Sequence, residues 1–364
     1  MGIVYDWLTV YGGSERLLSE ILQIFPGSEL HALLHHAPVY KDTPLANRKV
    51  HTTFLQALPG VHNYYRSLLP LMPLAIQNLD VSAHRVVLCV SHAVAHGVKT
   101  NENQIHIAYI CTPMRYAWHL REDYLHLHHL DRRFTKGLAT LLLDRIRSWD
   151  KKSAQQADKM IAISRWSADR VHSAWGRNAH VIYPPVQIER FQASDRRDNF
   201  YLLVMRLVPY KRGLEIVKAF NSLKLPLVIV GTGPELSKLQ QAAGNTIKIL
   251  GHQPDSVVTG LMNRAKAFVY MAVEDFGIAM VEAQAAGCPT IAYRKGGAGE
   301  IVIDGETGIL FDEQTADALA DAVSQFEQIP DPFDRRKLRN NAARFSKEIF
   351  RQNFTNYLKP YLDG

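Results

Sequence analysis

The sequence predicts an α/β protein with two doubly wound domains, each built on a parallel sheet. Short runs that are apolar on both faces alternate with helical patterns, which is typical of parallel strands covered by helices on both sides. The chain of 364 residues is also long enough for two domains of ordinary size. In the second half these apolar runs occupy residues 200–205, 225–231, 246–250, 267–271, 289–293 and 308–311.

The first half shows the same alternation of apolar runs and helical patterns, but less regularly. It opens with the strand-like "GIVYDWL", and the glycines of "GGSER" then lead into an amphipathic helix. The later runs "RVVLCV", "IHIAYI" and "KMIAIS" are further predicted strands. A helical pattern with Ile349, Phe350, Phe354 and Tyr357 on one side closes the chain.

The proline pair in "VIYPPV" (181–186) predicts the hinge between the domains, because two prolines continue neither a strand nor a helix. The sequence therefore predicts a first domain over 1–183 and a second over 184–345. A C-terminal helix over 346–364 is expected to pack back on the first domain. In open α/β sheets ligands bind beyond the carboxyl ends of the strands, so the chemistry is expected in the loops there.

Composition narrows the class of protein. With 47% apolar and 21% charged residues the chain is globular, and no run reaches the roughly 18 apolar residues of a membrane-spanning helix. Cys89, Cys111 and Cys288 lie far apart, and no signal peptide is apparent, so a cytoplasmic protein is expected. Residues 1–184 carry 20 Lys and Arg against 14 Asp and Glu, which favours an anionic partner. No nucleic-acid-binding signature accompanies this charge.

Two cations follow the predicted strand 200–205. Arg206 and Lys211 leave its carboxyl end five residues apart, across a proline-bearing turn. A guanidinium fork and an ammonium point charge together suit one diphosphate. The alternative is a pair of solvated loop charges.

Two glutamates flank the next candidate segment, "EDFGIAMVEAQAAG". Glu274 precedes a helix predicted to begin near Phe276, and Gly277 and Ile278 offer unpaired amides at its positive end. Glu282 lies two turns further on, roughly 10 Å away at the helical rise per residue. Two carboxylates at this spacing suit the hexose and ribose hydroxyls of a nucleotide sugar. The alternative for Glu282 is an ion pair with an arginine.

In the first half, Gly12 and Gly13 predict a loop with bare amides at a helix N-terminus, which is a weak signal alone. Together, "RLVPYK", "EDFGIAMVEAQAAGCPTIAYRKGGAGEIVIDGETGILF", "GGSER" and "VIYPPV" resemble the retaining glycosyltransferases of family 4, which have the GT-B fold of two Rossmann-like domains. The resemblance covers nearly the whole chain. "YDWLTVYGGSER" and "CTPMRYAW" are further similar to the mannosyltransferase branch that acts in O-antigen and exopolysaccharide assembly, often with GDP-mannose.

The resemblance implies a role for each candidate residue. Arg206 and Lys211 hold the diphosphate, Glu274 and the Gly277–Ile278 backbone hold the sugar, and Glu282 holds the ribose. Of these residues, Arg206, Lys211 and Glu274 are assigned to catalysis. The first domain binds the acceptor, a saccharide or a polyprenyl-diphosphate-linked saccharide, and the second binds the nucleotide sugar. No metal or other cofactor is expected. The predicted donor-binding residues are Gly12, Gly13, Phe276, Gly277, Ile278 and Glu282.

The sequence also departs from that branch. Cys111 stands where the branch usually has a histidine, and Tyr5 replaces its usual histidine before "DWL". Residues predicted to line the acceptor side of the site are His92, Cys111, Arg115 and Tyr116. The alternatives left open are a transferase that uses a UDP-sugar and a non-catalytic subunit that binds a sugar nucleotide.

Three histidine-rich or basic segments remain. His126, His128 and His129 invite a metal interpretation, but they lack a matching carboxylate or cysteine pair. The segments 64–76 and 132–152 suggest a peripheral contact with the inner face of the membrane. The helical stripe of the second segment is expected to be core; it comprises Leu138, Leu141, Leu142, Ile146 and Trp149.

Overall fold

A computed structural model of the chain describes residues 1–119, 121–122, 125, 133–191, 197–329 and 333–362, with the side chains of 133–135 left undescribed. The chain forms two compact units. The first comprises Met1–Pro185 and Phe350–Gly364, and the second comprises Val186–Ile349. The change of unit after Pro185 lies within the "VIYPPV" segment.

Each unit is built on a parallel sheet, and the prediction of two doubly wound α/β domains is confirmed. The strands of the first unit are β1 Gly2–Tyr5, β2 Glu29–Ala32, β3 Val50–Thr52, β4 Val86–Ser91, β5 Ile105–Ile110, β6 Lys159–Ala162 and β7 His180–Val181. Those of the second unit are β8 Tyr201–Val204, β9 Leu227–Val230, β10 Ile247–Gly251, β11 Ala267–Tyr270, β12 Thr290–Tyr293 and β13 Gly308–Phe311. Within the described residues the strand orders are β3-β2-β1-β4-β5-β6-β7 and β10-β9-β8-β11-β12-β13.

Helices connect the strands and cover the sheets. Before residue 186 the described α-helices are α1 Gly13–Ile24, α2 Met72–Gln77, α3 Arg133–Ser153 and α4 Arg165–Trp175. After residue 186 they are α5 Gly213–Leu223, α6 Leu236–Ala242, α7 Asp255–Arg264, α8 Ile278–Ala285, α9 Ala298–Ile301, α10 Ala316–Glu327, α11 Arg335–Ala343 and α12 Lys347–Leu362. From Phe350 onward α12 belongs to the first unit, where Phe354 packs against Tyr109 and Phe25 with ring centroids 5.6 and 6.3 Å apart.

Each sheet has one point where the strand order reverses. In the first unit the order reverses between β1 and β4, and in the second between β8 and β11. The connections leave such a pair of strands in opposite directions, so a crevice opens beyond their carboxyl ends. These two places are where the topology positions ligand-binding loops.

The predicted core stripe of α3 is wrong for two of its leucines. Leu138 and Leu141 are 63% and 50% exposed, whereas Leu143 and Ile146 are buried. The helix is apolar over more than one face, so spacing alone did not separate Leu138 and Leu141 from the buried face that carries Ile146. None of the described helices is long and apolar enough to cross a membrane.

Candidate active site

The switch point of the second unit brings two of the predicted site segments together. Strands β8 and β11 are neighbours, with Ala267 opposite Tyr201. Lys211, after β8, and Glu274, after β11, therefore emerge at the same edge of the sheet. Lys211 Nζ lies 2.8 Å from a carboxylate oxygen of Glu274, and each side chain is 14% exposed.

Tyr270, the last residue of β11, joins this pair. Its hydroxyl donates to Glu274 Oε1 at 2.8 Å and accepts from Lys211 Nζ at 3.2 Å. Lysine, tyrosine and glutamate thus form a closed, partly buried polar triangle at the carboxyl end of the strand. Sequence reasoning missed Tyr270 because it lies within the apolar run 267–271 and is typical of a strand core.

Arg206 has a different environment from Lys211. Its side chain is exposed, and it has no ion-pair partner among the carboxylates that the structure describes. Lys211 ends a short 3₁₀ turn, and Arg212 follows it in the left-handed region at φ +58°. That both cations meet one diphosphate stays a prediction.

A glycine-lined loop fixes the start of helix α8. The helix begins at Ile278, two residues later than predicted, and its N-cap is Gly277 at φ +109°. A glycine cap has no side chain to accept from the first-turn amides. The Met280 amide donates to the Gly277 carbonyl at 3.0 Å, so the Ile278 and Ala279 amides are the donors left at the positive end of the helix. Gly297 packs against this loop: a Cβ there would lie 1.8 Å from the carbonyl oxygen of Phe276, and its amide donates to the Glu274 carbonyl at 2.9 Å.

Glu282 forms the ion pair that the sequence left open as its alternative. Arg190 Nη2 lies 2.5 Å from Glu282 Oε1, and Arg190 Nη1 lies 2.9 Å from Asp255 Oδ2. Glu282 is buried and Asp255 is exposed, so the guanidinium bridges an inner and an outer carboxylate. Sequence analysis did not single out Arg190, which no motif marks. Binding of ribose by Glu282 stays a prediction.

A buried carboxylate organises the switch point of the first unit. Asp6 follows β1, is fully buried, and accepts four consecutive backbone amides from the loop after β4. The donors are His92 at 2.6 Å, Ala93 at 3.0 Å, Val94 at 2.6 Å and Ala95 at 2.7 Å. These four hydrogen bonds fix the backbone of the loop "SHAVAHG" (91–97). Sequence analysis did not assign Asp6 any role.

The same carboxylate holds His92. The Nδ1 atom of His92 lies 2.9 Å from Asp6 Oδ2, and its ring meets the Trp7 ring edge-on at 4.8 Å. Burial is the largest single influence and lowers the pKa of His92, but the Asp6 charge, the hydrogen bond to Asp6 and the Glu15 charge together outweigh it, and the net pKa is raised. Burial likewise raises the pKa of Asp6, and the charge of His92 and the backbone donors leave the net pKa lowered. Both shifts favour an imidazolium–carboxylate pair.

The prediction of a bare amide at Gly12 is wrong. Gly12 N donates to Glu15 Oε2 at 2.8 Å, so the side chain of its own helix occupies this amide. Glu15 Oε1 accepts the Tyr5 hydroxyl at 2.8 Å. Tyr5, which replaces the usual histidine, is thus buried on a carboxylate, and burial first and Glu15 second raise its pKa.

Cys111 lies just beyond β5 and is half-buried. Its amide donates to the Ser91 carbonyl at 2.8 Å, and its carbonyl accepts the Ser167 hydroxyl at 2.9 Å. The structure places Cys111 in this backbone frame at the carboxyl edge of the sheet, with Arg115 and Tyr116 in the turn that follows. His126, His128 and His129 lie outside the described residues.

Sequence comparisons relate this chain to known proteins. Residues 187–345 match the family model described as glycosyl transferases group 1. A GDP-mannose-dependent α-(1-6)-phosphatidylinositol monomannoside mannosyltransferase of Mycolicibacterium smegmatis is 30% identical over 206 residues, 48% of this chain and 54% of that protein. An uncharacterized glycosyltransferase of Methanocaldococcus jannaschii is 28% identical over 204 residues, 55% of this chain and 57% of that protein. The chain thus spans about half the length of the curated relatives it matches.

Solved structures show the fold. Anabaena HepE in complex with UDP superposes with a TM-score of 0.70 at 18% identity, covering 99% of this chain and 100% of that one. Sucrose-phosphate synthase from Thermosynechococcus elongatus gives 0.72 at 17%, covering 99% and 98%. The chain therefore has the GT-B glycosyltransferase fold, and its residues 187–345 carry the sequence pattern of the glycosyl transferases group 1 family.

Proposed function

We propose that the protein is a retaining hexosyltransferase that moves mannose from GDP-mannose onto a saccharide or lipid-linked saccharide. The observation that carries the proposal is the Lys211–Glu274–Tyr270 triangle beside the Gly277 cap, in the part of the chain that matches group 1 glycosyl transferases. The cation Lys211, the carboxylate of Glu274, which can accept hydrogen bonds, and the amides at the start of helix α8 lie at one edge of one sheet. This is the set of groups that a sugar diphosphate needs.

The triangle suggests how the donor is held. Lys211 and Glu274 neutralise each other as an ion pair at 2.8 Å. A diphosphate competes for the ammonium, and the carboxylate released from it accepts hydrogen bonds from sugar hydroxyls, with Tyr270 keeping it in place. As the glycosidic bond breaks, charge grows on the leaving phosphate. Lys211 and Arg206 neutralise that charge, and a leaving-phosphate oxygen takes the proton of the attacking acceptor hydroxyl on the same face.

The nucleotide is the part of this proposal that one experiment tests most directly. The mycobacterial relative's name gives GDP-mannose as its donor, whereas HepE was solved with UDP. We expect GDP to raise the Tm of the protein more than UDP or ADP, because a ligand stabilises only through its affinity for the folded state. A larger shift with UDP would favour a UDP-sugar donor. Transfer from radiolabelled donor separates an enzyme from a non-catalytic binding subunit.

The acceptor side of the proposal includes a peripheral contact with the membrane. Several apolar side chains in the described part of the first unit are at least 40% exposed. They are Val10, Phe54, Tyr64, Leu71, Leu74, Leu138 and Leu141. Exposed leucines and an excess of basic residues favour an anionic lipid surface at the cytoplasmic side. We expect the full chain to float with vesicles containing anionic lipid and to remain unbound with neutral vesicles. Equal behaviour with both vesicles would contradict the contact.

A further inference from the structure

A cluster of three histidines and a glutamate lies at the amino edge of the first unit's sheet. Glu29 and His31 stand two residues apart on β2, so their side chains project to the same face. His51 on β3 is the register partner of His31. His84 comes two residues before β4. This edge is opposite to the carboxyl edge that carries Asp6 and His92.

The ligand atoms of the cluster converge on one point. His31 Nε2 and His84 Nε2 are 3.1 Å apart, and Glu29 Oε2 lies 3.8 Å from His84 Nε2. One ligand atom from each of these three residues fits within a span of 4.8 Å. His51 Nε2 lies 3.4 Å from the same glutamate oxygen. Nitrogen and oxygen ligands at about 2.0–2.1 Å from a tetrahedral zinc are about 3.3 Å from each other, a value that these separations bracket.

The two inner histidines, His31 and His84, turn the same ring nitrogen toward each other. Their Nε2 atoms face each other at 3.1 Å, where one must donate if no cation lies between them. A cation bound between the two rings would accept a lone pair from each of these nitrogens.

The backbone around the cluster keeps the His84 ring in place. A Cβ on Gly2 would lie 2.4 Å from His84 Cδ2, so only a glycine leaves room for the ring against β1. Gly2 is itself paired with Glu29. The ring that would bind the ion is therefore positioned by the strand that separates β2 from β4.

We propose that His31, His84 and Glu29 bind a zinc ion, with His51 as a further nitrogen donor beside the carboxylate. Imidazole nitrogen and carboxylate oxygen are ligands that zinc accepts in tetrahedral sites. The ion joins the short edge strand β3, strand β2 and the segment before β4, which are distant along the chain. Its role is to stabilise this edge of the sheet, and it takes no part in sugar transfer.

The test uses tag-free, full-length protein treated with a chelator and then titrated with zinc chloride. We expect one zinc per chain by calorimetry and a Tm that rises with zinc concentration, since the ion binds the folded state. Cobalt in place of zinc should give the visible absorption of a tetrahedral site. Glu29→Gln and His84→Gln should each weaken zinc binding by more than about tenfold, because even outer-shell partners of a metal ligand are worth about 10–100-fold.

Controls separate this site from adventitious binding and from the donor site. His252→Gln removes an exposed histidine of the second unit and should leave zinc affinity unchanged. GDP affinity should be equal with and without zinc. Glu29 is 56% exposed, so Glu29→Gln keeps the variant folded even if His84→Gln disturbs packing against Gly2. Absence of zinc binding, or equal affinity in wild type and Glu29→Gln, would overturn the proposal and leave a hydrogen-bonded pair of histidines.

Discussion

Lys211→Ala and Glu274→Ala are each expected to lower the rate of sugar transfer by about 10²–10³-fold, or about 3–4 kcal/mol, as removal of one preorganised charge contact does in other active sites. The reason is that Lys211 stabilises charge that grows only as the leaving phosphate departs, while Glu274 orients the sugar. Both side chains follow strand ends and are not part of the core, so the fold should persist. Single-turnover transfer with purified variants, beside circular dichroism, measures both effects.

The structure supplies a matched control for this experiment. Lys218 forms an ion pair of similar length with Glu215, 2.7 Å against 2.8 Å, but it lies exposed on helix α5. Lys218→Ala should leave transfer unchanged, since exposed pairs contribute little. Tyr270→Phe keeps the ring and removes the hydroxyl that both members of the triangle share, so its loss should be smaller than that of either charge. Near-normal transfer by Lys211→Ala or Glu274→Ala would contradict their assignment.

The effects of Lys211 and Glu274 should not add. The two groups are in contact, so the double variant removes one interacting unit, and residues in contact commonly couple by about 0.5–3 kcal/mol. We expect the loss in the Lys211→Ala, Glu274→Ala double variant to fall short of the sum of the two single losses by an amount in this range. Full additivity would indicate that the two side chains act at separate steps.

Apolar runs were the part of the sequence that predicted structure well. The predicted strands 200–205 and 267–271 became Tyr201–Val204 and Ala267–Tyr270, because runs apolar on both faces suit a sheet covered on both sides. The start of α8 was missed by two residues. Phe276 is buried against the Phe345 ring at 5.3 Å, and the left-handed Gly277 follows it, so tertiary packing and a backbone turn delay the helix.

Pairings over long sequence distances could not be predicted. Asp6 accepts amides 86 to 89 residues away, Arg190 meets Glu282 92 residues away, and His31 meets His84 53 residues away. Each partner is an ordinary loop or strand residue with no motif of its own. The glutamates and basic residues of the second unit were found because they lie together in recognisable stretches of sequence.

The second large effect is expected from Asp6→Asn, which should lower the free energy of unfolding of the first unit by about 3–5 kcal/mol, the usual cost of breaking a buried charge pair. Asparagine has one oxygen to accept with, and its amide group would face backbone donors, so amides among His92–Ala95 lose their partner. The Tm should fall by roughly 10 °C for a unit of this size. Asp158→Asn is the matched control, because Asp158 is exposed and accepts a single amide, that of His106.

The pH dependence of stability tests whether His92 is charged. The folded pKa of His92 is raised, so its pairing with Asp6 stabilises fully below its usual pKa of about 6.5 and is lost as pH rises through the folded value. The pKa of Asp6 is lowered, so its contribution is present above its usual value near 3.8 and is lost only as pH falls through the lower folded value. Glu15 and Arg115 also act on His92, in opposite directions. The unfolding free energy of wild type minus that of His92→Gln, measured by denaturant at pH 5.5, 7 and 8.5, should therefore decrease with pH. A difference that stays constant would mean that His92 is neutral and that Asp6 serves the amides alone.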